Sequence, residues 1–151
     1  MVISIAVKPY TLAFLRRHVG TDYQLRLDDP FGNCLFNLLQ RNNRRTRADQ
    51  HLDRYTCTFP VRVSQDKLHK KGARGITGLT IISFNNFAEL IFKHEFHTFV
   101  ETWTAEAQLT VAGAIRRFCA RYGLTEQDVS EESLRRSYLR YQNRQAARTK
   151  V

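Results

Sequence analysis

The spacing of apolar residues changes along the chain, and this change limits the folds that it can adopt. At residues 54–64 apolar and polar residues alternate with the two-residue period of a β-strand that has one buried face. From Leu79 onwards apolar residues recur at intervals of three and four, which is the period of α-helices. The sequence therefore predicts an α+β fold, with a small mixed β-sheet and two helices in the N-terminal half and a helical C-terminal half.

Proline and glycine residues mark the ends of several elements in the N-terminal half. Pro9 and Pro30 each stand where a helix begins, since a first turn does not need the missing N–H of proline, and Gly20 ends the first of these helices. Pro60 cannot donate a hydrogen bond to a neighbouring strand, so we expect its strand to lie at a sheet edge or to be irregular there. The predicted elements are strands at residues 2–7, 23–27 and 54–64 and helices at residues 9–18 and 31–40.

Three helices are predicted in the C-terminal half. A long buried helix covers residues 81–103, a second helix ends at Gly123, and either Thr125 or Ser130 caps a third. The chain after Gln145 has too little apolar surface to pack, so we expect its last residues to fray.

Two segments rich in arginine and lysine lack any apolar period, and we expect them to be exposed loops. They cover residues 41–53 and 65–75. Residues 76–79 follow the second loop and are a further candidate for strand pairing. Because the whole chain has the length of one ordinary domain, we expect an α/β subdomain at residues 1–76 and a helical subdomain at residues 77–151 to fold as one compact unit.

The charge of the chain is strongly unbalanced. It has 24 lysine and arginine residues against 14 aspartate and glutamate residues, which gives a formal net charge of +10 and a pI near 10.0. Such a chain attracts polyanions, and nucleic acid is the natural partner. The same positive charge would also attract an anionic membrane surface or an acidic protein, so charge alone leaves these alternatives open.

One segment, FCARYGLTEQDVSEESLRRSYLRY, has the outline of a helix-turn-helix with its turn at Gly123. The arginine-rich second helix of such a unit fits the major groove of DNA, where its side chains reach guanine edges or phosphates. The connection from Gly123 to Ser130 is long for this motif, Glu132 stands where an aliphatic residue is expected, and acidic residues crowd the start of the second helix. An ordinary helical hairpin with a solvated basic face is therefore the alternative.

The candidate nucleic-acid-binding residues are cationic side chains of the last two helices and of the two basic loops. On the last helix their spacing places most of them on one broad face, where they would act together on a polyanion. The candidates are Arg116, Arg117, Arg121, Arg135, Arg136, Arg140, Arg144, Arg44, Arg45, Lys70 and Lys71. The loop residues have a simpler interpretation as solvated charges that keep the chain in solution.

No catalytic motif is found, and we expect neither an enzyme nor a bound cofactor. The three cysteines, Cys34, Cys57 and Cys119, form no Cys-x-x-Cys pair and are predicted to be buried free thiols. His94 and His97 have a spacing compatible with one edge of a metal site, but no second cluster completes the ligand set, so no metal is predicted. Residues 1–7 are too few for a signal sequence, and the expected location is the cytoplasm.

Three stretches of the chain resemble small uncharacterised proteins of prophages and mobile elements in Bacteroidales-type bacteria. These stretches are VKPYTLAFLRRHVG, DPFGNCLFNLLQR and AIRRFCARYGLTEQDVSEESLRRSYLRY. The resemblance lies in style and in the order of elements, and it implies a bacterial context without assigning an activity to any residue. Since mobile elements encode many small DNA-binding regulators, it also favours a regulatory or accessory role by analogy.

The function predicted from the sequence is therefore non-catalytic nucleic-acid binding, with DNA favoured over RNA and with no membrane partner. The alternative is a protein-interaction or assembly module that binds an acidic partner or associates with itself. Whether the chain forms a homodimer is left open.

Overall fold

A computed structural model describes residues 1–40, 52–69 and 76–150, and the structural statements below refer to those residues. Four of the candidate binding residues, Arg44, Arg45, Lys70 and Lys71, lie outside the described residues, as does most of the two predicted basic loops. The elements in chain order are β1 (Val2–Val7), α1 (Pro9–Val19), β2 (Tyr23–Gln24), α2 (Pro30–Gln40), β3 (Cys57–Arg62), α3 (Gln65–His69), α4 (Gly78–Glu106), α5 (Val111–Tyr122) and α6 (Glu131–Thr149).

The predicted α+β architecture is confirmed: the strands lie in the N-terminal half and the C-terminal half is helical. Contacts divide the chain into two compact units, Met1–Leu90 and Ile91–Val151. The division falls inside α4 and not at residues 76 and 77, because the first turns of α4 pack on the sheet, where Phe84 stacks on Phe59 of β3. Among the described residues, no helix is both long enough and apolar enough to cross a membrane.

The sheet of the first unit is mixed and has the strand order β1-β3-β2. β1 and β3 are antiparallel with Ile5 opposite Phe59, and β2 is parallel to β3. Alternation along β1 and β3 buries Ile5, Val7, Phe59 and Val61, as the two-residue period predicted. β2 is shorter than the predicted strand at residues 23–27, because the chain turns away from the sheet to start α2 at Pro30.

Pro60 lies in the central strand of the sheet and not in an edge strand. The N–H of Val63 donates a hydrogen bond to the carbonyl of Met1, on the side of β1, and the carbonyl of Arg62 accepts one from the N–H of Leu25, on the side of β2. Successive residues here therefore direct their backbone hydrogen bonds alternately towards β1 and β2. Pro60 therefore faces the side of β2, whose pairing begins only at Val61. The missing N–H of Pro60 thus costs the sheet no hydrogen bond.

Two segments of the first unit differ from the sequence expectation. Residues 76–79 pair with no described strand, because α4 begins at Gly78 and the Thr77 hydroxyl accepts a hydrogen bond from the N–H of Thr80 at 3.3 Å, as a helix cap does. Residues 65–69, predicted to be part of a loop, form α3, and the hydroxyl of Ser64 accepts from the N–H of Lys67 at 3.3 Å.

A close contact between backbone segments fixes the start of α2. The carboxylate of Asp29 accepts hydrogen bonds from the N–H of Gly32 at 2.7 Å and from the hydroxyl of Tyr23 at 2.6 Å. A Cβ atom on Gly32 would lie 1.9 Å from the carbonyl oxygen of Arg26, a distance that no side chain tolerates. Glycine at this position therefore lets α2 approach the chain that leaves β2.

The second unit consists of the later turns of α4 together with α5 and α6, packed around aromatic rings such as Phe96 and Phe118. Thr110 caps α5, Gly123 ends it in the left-handed conformation at φ 63°, and Ser130 caps α6. Fraying after Gln145 is not observed, since α6 continues to Thr149. Its last residues pack on nothing, but alanine, glutamine and arginine there favour helix intrinsically.

Candidate nucleic-acid interface

Arginine side chains form a row along α6. Arg136, Arg140 and Arg144 are each four residues apart and exposed, and Arg148 continues the series. One step of four residues rises about 6 Å along a helix, so the row from Arg136 to Arg148 extends over about 18 Å. Leu134 and Tyr138 on another side of α6 are buried and hold the helix against its unit. We call Arg136, Arg140, Arg144 and Arg148 the arginine row.

Acidic residues neutralise only the first part of this surface. Arg136 lies 3.1 Å from Glu132, and Arg116 of α5 lies 3.7 Å from Glu131. All four side chains are about half exposed or more, so each pair contributes roughly 0–1 kcal/mol. Within the described parts of the chain, Arg135, Arg140 and Arg144 form no ion pair with an acidic side chain.

The other two nearby carboxylates have structural roles in the connection between α5 and α6. Asp128 accepts hydrogen bonds from both the N–H and the hydroxyl of Thr125, at 2.9 and 3.0 Å. Glu126 accepts from the N–H of Glu131 at 3.2 Å, at the first turn of α6. Carboxylates at a helix N-terminus are stabilised by the unpaired N–H groups there, so Glu126 serves the start of α6, whereas Asp128 holds the preceding turn. Farther along α6, the carboxylate of Glu101 is hydrogen-bonded to Tyr141 and forms no ion pair with Arg140 or Arg144 among the described residues.

The connection itself differs from a helix-turn-helix turn. It runs from Gly123 to Ser130, whereas the motif joins its helices with a turn of about three or four residues. Glu132 is exposed and paired with Arg136, so it does not pack between the helices as an aliphatic residue would. The α5–α6 pair is a helical hairpin with an extended connection.

The arginines of α5 lie on two flanks of the helix. Arg116 reaches towards α6 through Glu131, whereas the guanidinium of Arg117 lies 4.3 Å above the ring of Trp103 in α4. Consecutive residues of a helix point about 100° apart, and Arg121 follows Arg117 by one turn on the same flank. The structure therefore places Arg116 beside the first turn of α6 and Arg117 against α4, with Arg121 one turn beyond Arg117 on the same flank of α5.

His97 is buried between α4 and α6 and is not arranged to bind a metal. Its Nε2 atom lies 3.0 Å from the hydroxyl oxygen of Ser137, and its ring stacks on Tyr141 at 4.6 Å. Burial, followed by the nearby positive charges of Arg144 and Lys93, lowers the pKa of His97 to about 4. The described residues contain no group of three or more histidine, cysteine, aspartate or glutamate side chains placed to hold a metal ion.

Among the residues that the structure describes, no carboxylate or amide is hydrogen-bonded to His97 to orient it with Ser137 as a catalytic pair. The carboxylate of Glu101 accepts a hydrogen bond from the hydroxyl of Tyr141 at 2.7 Å, so it is engaged away from the imidazole. The contact between Ser137 and His97 satisfies the polar ring of a buried histidine.

The described cysteines are not in disulfides, as predicted, but all three are only partly buried. Burial, together with the negative charges of Glu131 and Glu126, raises the pKa of the Cys119 thiol. A raised pKa keeps this thiol protonated near neutral pH, and it is then a poor nucleophile.

The chain thus has an α+β fold, and the arginine side chains of its last helix are exposed to solvent. Comparisons of the chain with protein-family models, with curated proteins and with solved structures gave no match.

Proposed function

We propose that this protein binds nucleic acid without catalysis, with DNA as the favoured target, and that the arginine row of α6 is the main contact surface. The observation that carries the proposal is the lack of acidic partners for Arg140 and Arg144 among the described residues. Like charges one helical turn apart repel and destabilise a helix by about 0.2–0.5 kcal/mol per pair. A polyanion bound along the row removes this repulsion.

The physical basis of binding is the release of counterions from the phosphate backbone. Each phosphate neutralised by an arginine releases condensed cations, which makes the affinity depend steeply on salt. Arg135 lies beside the row, and Arg116 adds a further cation near the start of α6. Arginine suits this role because its planar guanidinium stays charged and donates two hydrogen bonds to one phosphate.

The test of this proposal is a salt titration of duplex DNA binding, followed by the fluorescence anisotropy of a labelled duplex. Contact through three arginines predicts that the logarithm of the affinity falls with the logarithm of salt with a slope of about −3 or steeper. Failure to bind any duplex or single strand at low salt would contradict the proposal.

A second candidate is a protein-interaction module, and one observation favours it. Leu139 is 46% exposed and lies on α6 between Arg136 and Arg140, so the basic surface also offers an apolar side chain. An acidic protein segment with apolar residues would use both features. Binding of polyglutamate more tightly than DNA at equal salt would favour this candidate, because carboxylates and not phosphates would then be the preferred anions.

A role as a regulator or accessory factor of a bacterial mobile element, exercised in the cytoplasm, is part of the proposal. It rests on the resemblance of the three sequence stretches and on the analogy with small regulators.

A further inference from the structure

A groove of about 310 Å³ lies along the later turns of α4, beside α5. Its walls are the side chains of His94, Glu95, Thr98, Phe99, Thr102 and Trp103. All six belong to the unit Ile91–Val151, and they form two adjacent rows on one side of α4, each with a spacing of four residues.

The aromatic floor of the groove is held in place by neighbouring rings and by a cation. Phe99 packs edge-on against buried Phe118 at 5.4 Å, and Phe99 and Trp103 lie 5.8 Å apart. The guanidinium of Arg117 lies 4.3 Å from the centre of the Trp103 ring. Trp103 is nevertheless only partly buried, so part of its indole surface remains open to a ligand.

The chemistry of the groove suits a planar, polar-edged group. Its floor is aromatic, whereas His94, Thr98 and Thr102 place hydrogen-bond donors and acceptors around the rim; the Glu95 carboxylate there is hydrogen-bonded to Tyr122. Its volume stands at the lower end of the range of about 300–1,000 Å³ found for small-molecule sites, which favours an occupant of the size of one aromatic base. Nucleobases stack on tryptophan and on arginine guanidinium planes and present hydrogen-bonding edges.

Charge argues that this base belongs to a strand. Arg117 contacts the ring of Trp103, which lines the groove, and Arg121 follows Arg117 by one helical turn on the same flank of α5. Two cations on the flank of an aromatic groove fit the combination of base stacking and backbone attraction that proteins use for single-stranded nucleic acid.

We propose that the α4–α5 groove binds an unpaired nucleobase of a nucleic-acid strand, stacked on Trp103 beside Arg117. This inference rests on the proposed nucleic-acid function and adds a subsite for single-stranded or unpaired regions. Duplex DNA binds along α6 and leaves the groove empty, because the stacked bases of a duplex are not available to it.

The intrinsic fluorescence of the protein tests the groove directly, since Trp103 is the single tryptophan of the chain. A short oligothymidylate, an abasic strand of the same length and a duplex are titrated at low salt. Binding of each is measured separately by the anisotropy of a label on the nucleic acid. We expect the base-bearing single strand to quench Trp103, and we expect the abasic strand and the duplex to bind without comparable quenching.

Two variants with the same change of charge separate stacking from general attraction. Arg117→Gln removes the cation over Trp103, whereas Arg116→Gln removes its neighbour on the other flank of α5. We expect Arg117→Gln to weaken single-strand binding about tenfold more than Arg116→Gln does, since a base held by stacking contributes an effect of this size. Retained duplex binding by Arg117→Gln shows that this variant is folded.

Binding of the single strand without quenching of Trp103 would overturn the groove proposal and leave the proposed function standing. Equal quenching by the abasic strand would also overturn it, because the effect would then come from the backbone. Equal losses of single-strand affinity in Arg117→Gln and Arg116→Gln would also overturn the groove proposal. Absence of binding by every probe at low salt would overturn both proposals together.

Discussion

Arg116 and Arg117 are neighbours in sequence, yet their side chains contact different helices: Arg116 pairs with Glu131 of α6, and Arg117 covers the ring of Trp103 in α4. The positive charge of α5 is therefore divided between two flanks. The arginine row and Arg116 form a backbone-binding surface in our account, whereas Arg117 and Arg121 belong to the aromatic groove.

The close approach of Gly32 to Arg26 predicts a large effect of a small substitution. In Gly32→Ala the added methyl group would meet the carbonyl of Arg26, so α2 must shift, and we expect a loss of about 3 kcal/mol in the free energy of unfolding. Urea unfolding measures this loss. Gly113→Ala is the control, because the nearest atom there is the hydroxyl of Thr110 at 3.2 Å and the change should stay within about 1 kcal/mol. Similar effects of the two substitutions would contradict the packing described for α2.

The buried imidazole of His97 predicts a loss of stability in acid. The pKa of His97 is lowered from 6.5 to about 4 in the folded protein. Between these values the unfolded chain binds a proton that the folded protein does not, so stability falls as the pH falls from about 6.5 to about 4. The contribution of this residue is at most about 3 kcal/mol.

Urea unfolding at a series of pH values measures this dependence, and His97→Gln should flatten it in the same range. The variant is compared with the native chain by the slope of stability against pH and not by absolute stability, because the substitution also alters packing on Tyr141. An unchanged slope in His97→Gln would show that other groups cause the acid sensitivity.

The N-cap of α6 predicts a loss of stability when its hydroxyl group is removed. The hydroxyl of Ser130 accepts a hydrogen bond from the N–H of Ser133 at 3.1 Å, and Ser130→Ala should cost about 1 kcal/mol of stability. Gln142→Ala, at an exposed position of the same helix, is the control and should change stability by less than about 0.5 kcal/mol. Thermal unfolding followed by circular dichroism compares the two, and equal midpoints would argue against the cap.

Periodicity predicted most elements because it reports which face of each element is buried. The two-residue period at Phe59 and Val61 and the helical spacing around Phe92 and Phe96 both correspond to buried faces. Local sequence signals gave wrong predictions where tertiary packing decides the outcome. β3 can be the central strand although it contains Pro60, because the missing N–H faces the side of β2, and β2 pairs with β3 only from Val61 onwards. α3 has too few residues to show an apolar period.

The candidate site was only partly predictable for the same reason. The spacing of Arg136, Arg140 and Arg144 is a property of one helix and can be derived from the sequence. The contact of Arg117 with Trp103 depends on how α5 is rotated against α4, and no pattern within either helix specifies this rotation. From the sequence alone, all the arginines of α5 were therefore predicted to act together with those of α6.

The arginine row makes a prediction about stability as well as binding. Replacing Arg140 and Arg144 together by glutamine removes repulsion along α6 and breaks no ion pair within the described residues. We expect the double variant to be as stable as the native chain, or more stable by a few tenths of a kcal/mol at low salt. A large loss of stability, measured by urea unfolding, would mean that these side chains have a structural role.

The salt dependence of duplex DNA binding in matched double variants shows whether the arginine row contacts the phosphate backbone. Arg140→Gln with Arg144→Gln removes two charges from the row, and Arg16→Gln with Arg17→Gln removes two exposed charges from α1. We expect the first pair to lower the magnitude of the salt slope by about 2 and the second pair to leave it almost unchanged. Equal changes in both double variants, or an unchanged slope in the α6 variant, would contradict this contact.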